Sequence, residues 1–154
     1  MKTLIVYDSY FGNTEKIAQA ICDSFDKGSK AEIIKVSECK PEQLKGLDLL
    51  IVGSPTRGFR PTEAMTAFLN SLPGDSLMGI KVAVFDTRMK GEDIKPKILR
   101  FIVKLGGYAA KPMADMLVKK GGTLILPPEG FSVKGNAGPL KEGEIDRAKT
   151  WIKL

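Results

Sequence analysis

Residues 2–14, Lys-Thr-Leu-Ile-Val-Tyr-Asp-Ser-Tyr-Phe-Gly-Asn-Thr, constrain the fold more than any other stretch of the chain. An apolar, β-branched run stops at Asp8. A short loop follows, and Glu15, Ile17, Ala18, Ile21, Cys22 and Phe25 then fall at helical spacing. The order is buried strand, tight loop, helix start. Such a junction points backbone N–H groups and the positive end of a helix dipole at one spot beyond the sheet, where an anion is stabilised without a charged side chain.

The same alternation recurs. Residues 31–36 read as a second strand, residues 41–45 as a short helical turn, and residues 47–53 as a third strand running into a loop at 54–59. Pro61 suits the first position of a helix whose apolar stripe is Ala64, Met65, Phe68, Leu69 and Leu72. Residues 80–85 form a fourth strand, with a third loop at 86–91. Further on, the spacing predicts a main helix over about 108–120 and a short fifth strand at 123–126 closed by Pro127 and Pro128. An excursion over 129–140 contains an extended piece at 131–134, and a last helix carries Ile145, Ala148, Trp151 and Ile152.

Strands alternating with helices imply a doubly wound α/β fold: a five-stranded parallel sheet with right-handed crossovers and helices on both faces, spanning 1–154 as one domain. In such sheets ligands bind beyond the carboxyl ends of the strands, where the order reverses. A strand order of 2-1-3-4-5 brings the loops after the first, third and fourth strands together at one edge.

Composition removes several function classes. The chain has no histidine, and Cys22, on the helical apolar face, and Cys39, in a polar stretch, lack metal-ligand spacing, so neither a metal site nor His-based acid–base catalysis is expected. The apolar run at residues 4–7 is too short for a signal-peptide core and no run approaches a membrane span, so a cytoplasmic location is expected. The net charge of +6 resides in residues 81–120, where ten Lys/Arg face four acids. That face suits an acidic partner or an anionic substrate, or is simply a solvated lysine surface. No reading motif accompanies the charge, so nucleic acid is not expected.

Residues 9–14, Ser-Tyr-Phe-Gly-Asn-Thr, resemble the phosphate loop of flavodoxins, whose pattern is Ser/Thr-x-Ser/Thr-Gly-x-Thr. The likeness continues through residues 53–56, Gly-Ser-Pro-Thr, and 85–88, Phe-Asp-Thr-Arg. The resemblance implies non-covalent FMN and an electron-transfer role with redox protein partners. It places the side chains of Ser9, Asn13 and Thr14, with the amides around Tyr10, Phe11 and Gly12, on the phosphate. Pro55, Thr56, Arg57, Gly58 and Phe59 would lie along one side of the isoalloxazine, and Asp86, Thr87, Arg88 and Met89 near its other side or its pyrimidine edge.

Physical chemistry supports these roles and offers others. A dianionic phosphate wants several N–H and O–H donors, and a glycine at position 12 permits close backbone approach. Ser9 or Thr14 would serve equally as a helix cap, Phe59 as ordinary packing, and Gly58 as a turn residue. A receiver-type signalling module shares the strand order, but Ser54 and Pro127 stand where it needs Asp and Lys.

The chain departs from the flavodoxin pattern at Phe11, which replaces a hydroxyl, and after the fourth strand, where Arg88 and Met89 replace a flanking tyrosine. Flavodoxins are usually acidic near the flavin, whereas this chain carries Arg57, Arg60, Arg88 and Lys90 there. One cation about 5 Å away would favour the anionic reduced flavin by roughly 3 kcal/mol at an effective dielectric near 20. The same cations would suit an FMN-dependent NAD(P)H or quinone oxidoreductase, the enzymatic alternative. Residues 92–106 form a basic amphipathic stretch, read either as core cover or as a contact surface for an acidic partner or a membrane surface.

Overall fold

The computed structural model describes residues 1–89, 108–135 and 137–153. The strands are β1 (Lys2–Tyr7), β2 (Lys30–Lys35), β3 (Leu49–Pro55), β4 (Lys81–Arg88), β5 (Thr123–Leu124) and β6 (Glu129–Ser132). The α-helices are α1 (Asn13–Asp23), α2 (Glu63–Ser71), α3 (Ala110–Lys119) and α4 (Glu144–Lys149). All strand pairs run parallel, in the order β2-β1-β3-β4-β5, with β6 also on β4. The expected order 2-1-3-4-5 holds.

The apolar runs of the inner strands follow from burial on both faces. Leu4, Val6, Leu50, Val52, Val82 and Val84 pack with Met65, Leu69, Met113 and Leu117 of α2 and α3. The alternate residues Ile5, Leu49, Ile51 and Phe85 pack with Ile17 and Ile21 of α1 and Ala148 of α4. Phe85, Phe131 and Trp151 close this second core as three edge-on ring pairs with centroids 5.9–6.0 Å apart. Phe85 also covers Gly53 on the neighbouring strand, where any Cβ would overlap its ring.

Three local expectations need correction. The fifth sheet position is divided: β5 pairs with Lys81 and Val82, and β6 with Phe85–Arg88. Pro127 and Pro128 have no amide hydrogen to donate to a ladder, and they stand at the break. Pro61 lies outside α2, because Thr62 is the N-cap, its side chain accepting from the Met65 amide at 3.2 Å. The last helix ends at Lys149, although Trp151 and Ile152 still reach the core. The polar stretch that holds Cys39 turns the cysteine side chain into the α2/α3 core, and burial pushes its thiol up to about 11.

The helix expected over 108–120 forms as α3, whereas Lys90 and the basic stretch at 92–106 lie outside the described residues. No described helix is long and apolar enough to cross a membrane.

Candidate functional site

The loops leaving β1, β3 and β4 meet around one cleft, lined by Ser9, Tyr10, Phe11, Asn13, Thr14, Pro55, Thr56, Arg57, Thr87, Arg88, Met89 and Val133. Most of the residues predicted from sequence therefore come together. Gly12 supplies the bend between them. Its φ of 89° is a left-handed conformation natural to glycine, and its amide donates to Ser9 Oγ at 3.0 Å.

Neither Ser9 nor Thr14 caps α1, which has Gly12 at its N-cap and no side-chain cap. Among the described residues, no group accepts from the first-turn amides of Asn13, Thr14 and Glu15, while Lys16 begins the helical ladder on the Gly12 carbonyl. The helix thus presents unpaired donors at the cleft, which is the condition for holding an anion.

Hydrogen bonds tie the three loops together pairwise. Thr14 Oγ1 and Thr87 Oγ1 lie 2.8 Å apart in a buried hydroxyl pair joining the first and third loops. The Thr56 amide donates to the Thr87 carbonyl at 3.0 Å, joining the second and third. The Thr62 hydroxyl donates to Asp8 Oδ2 at 2.6 Å, joining the second and first. Asp8 Oδ1 accepts the Ser9 amide at 2.9 Å, and Ser54 Oγ accepts the Thr62 amide at 3.1 Å. A cleft braced on all three sides needs little ordering when a ligand enters.

Four of the predicted residues have more particular placements. Asn13 Nδ2 donates to the Ala137 carbonyl at 3.2 Å, bringing a fourth segment to the loop after β1. Gly58 and Phe59 lie outside this cleft and line a broader groove with Arg60, Pro61, Lys111 and Met116. Both have positive φ, 53° and 69°, in a two-residue turn closed by reciprocal Arg57–Arg60 backbone hydrogen bonds of 2.8 and 3.0 Å. At Phe59 that conformation costs about 1–2 kcal/mol relative to glycine.

Asp86 is fully buried beneath the cleft. Arg88 grips it with two hydrogen bonds of 2.6 and 2.7 Å, and the Ala110 amide at the start of α3 donates to it at 2.9 Å. Burial pushes the Asp86 carboxyl up, against the opposing pull of Arg88 and the Ala110 amide. The guanidinium is also covered, with its carbon 3.8 Å from the Tyr108 ring centroid and Gly130 so close that a Cβ there would overlap it. The positive charge expected from Arg88 is therefore largely neutralised by Asp86.

Sequence reasoning missed Thr62 and Val133. Thr62 carried one signal, since a threonine just before a helical apolar stripe is a favoured cap. Nothing local marked its reach to Asp8.

Residues 4–105 match the family model for the flavodoxin domain, and the chain belongs to that family. A flavodoxin from Maridesulfovibrio salexigens is 35% identical over 89 residues, which make up 54% of this chain and 61% of that protein, so the match spans less than two thirds of the relative. Among solved structures, a flavodoxin from the domain Archaea superposes with a TM-score of 0.75 at 22% identity, over 97% of this chain and 92% of its own. Rubredoxin:oxygen oxidoreductase from Desulfovibrio gigas gives 0.71 at 23% identity, over 97% of this chain but 33% of that one. Proteins of the flavodoxin family bind FMN.

Proposed function

We propose that this chain is an FMN-binding electron-transfer protein. The observation that carries the reading is the braced cleft, in which uncapped α1 amides and Ser9 meet the loops after β3 and β4. Its donor set fits the cofactor. Ser9, Asn13, Thr14 and the amides following Gly12 would hold the phosphate, and Pro55, Thr56, Thr87 and Met89 would lie along the ribityl chain and ring. The flavin, when bound, supplies the redox chemistry, while the protein binds it, orients it and sets its electrostatic surroundings.

Redox protein partners complete the proposal, with acidic ones favoured by the basic excess in residues 81–120. Part of that charge is used internally. Lys120 donates to the carbonyls of Leu72 and Asn70 beyond and within the end of α2, and Lys111 pairs with Asp115.

The test is an absorption spectrum of the freshly purified protein, repeated after the apoprotein is titrated with FMN. Yellow protein or stoichiometric uptake is expected; a protein that neither carries nor takes up FMN would sink the reading. Ser9→Asp should repel the phosphate, and unchanged FMN affinity in that variant would show the site to be misplaced.

A further inference from the structure

We infer that Arg57 is a phosphate-binding residue, recruited from the loop after β3 to make up for the hydroxyl that Phe11 lacks. The inference rests on the FMN reading above. Arg57 lines the same cleft as Ser9, Asn13 and Thr14, although it comes from a different loop. Its guanidinium carbon lies 5.1 Å from the Tyr10 ring centroid and 5.7 Å from that of Phe11. Both rings belong to the phosphate loop itself.

This seat explains an otherwise unfavourable exposure. Tyr10 and Phe11 are 55% and 53% exposed, two adjacent large side chains at the rim of a polar loop. Rings in that position gain from an overlying cation, which in turn is held next to the loop amides. A guanidinium stacked on a ring keeps its N–H groups in plane and available to an oxyanion, a geometry that matches phosphate better than a lysine would.

Charge accounting favours the same assignment. Arg88 also lines the cleft, but it is committed to Asp86 through two hydrogen bonds. Among the described residues, no carboxylate forms an ion pair with Arg57. Of these two arginines, Arg57 is the one whose charge remains available to a dianion.

The phosphate is what distinguishes FMN from riboflavin, so the ratio of their affinities isolates this role. Dissociation constants of the apoprotein for FMN and for riboflavin would be measured by flavin fluorescence, in the unaltered protein, Arg57→Met and Arg57→Lys, at several salt concentrations. Arg57→Met should weaken FMN by about tenfold to a hundredfold, leave riboflavin within about twofold, and flatten the salt dependence of FMN binding. Arg57→Lys should fall between. Adding Phe11→Thr to Arg57→Met should recover part of the lost FMN affinity. Equal weakening of both flavins, or no weakening of FMN, would overturn the assignment. If the unaltered protein binds neither flavin, the FMN reading itself fails.

Discussion

The hydroxyl of Thr62 and the carboxylate of Asp8, 54 positions apart in the chain, meet at 2.6 Å beneath the cleft. Thr62 has three partners: it donates to Asp8, accepts the Met65 amide at the start of α2, and its own amide reaches Ser54. Asp8 is 5% exposed, so water cannot easily replace a lost donor. Thr62→Val keeps the shape but removes both the donor and the cap. It should lower stability by about 2–4 kcal/mol in chemical denaturation, whereas Thr62→Ser should cost under about 1 kcal/mol.

Gly53 is required by a packing contact rather than by its backbone angles. The Phe85 ring occupies the space a Cβ would take. Gly53→Ala should cost about 1–3 kcal/mol through overpacking. Combining it with Phe85→Leu should cost less than the sum of the two single changes, and an additive pair would place the strain elsewhere.

Gly130 should be coupled to Arg88 in the same way. A methyl group at position 130 would displace the guanidinium from its grip on buried Asp86. Gly130→Ala should therefore lower the melting temperature in the unaltered background and have a much smaller effect once Arg88 is replaced by Ala. A double-mutant cycle would read the difference as an interaction energy.

Cys39 gives a pH signature. Its thiol is pushed by burial from an ordinary value of 9.0 to about 11. The unfolded chain gives up this proton first, so the contribution is fully present below pH 9 and is lost as pH rises toward 11. The stability difference between the unaltered protein and Cys39→Ala should shrink across that window. A difference that stays constant would mean the thiol titrates normally.

How far the sequence discloses this architecture depends on the range of the forces involved. The strands β1, β3 and β4 were legible because each is a continuous apolar run ending in a loop. The strand order then brought the three loops together. Thr62 shows the limit: its cap is a local feature, but its bond to Asp8 exists only once β1 and α2 are packed. Asp86 and Arg88 were legible in principle, since residues two apart on a strand share a face. That pairing leaves Arg88 without the free charge that its place in a loop suggests. The bends of Gly58 and Phe59 away from the cleft depend on the Arg57–Arg60 turn, which apolar periodicity does not register.

The division of the fifth sheet position has a consequence for behaviour at high concentration. One border of the sheet consists of a two-residue piece and a four-residue piece with Pro127 and Pro128 between them, and the other, β2, exposes Lys30, Glu32 and Lys35. A second copy that tried to extend the sheet would meet missing donors on one side and charged side chains on the other. Both borders of the sheet are thereby poor templates for fibril growth.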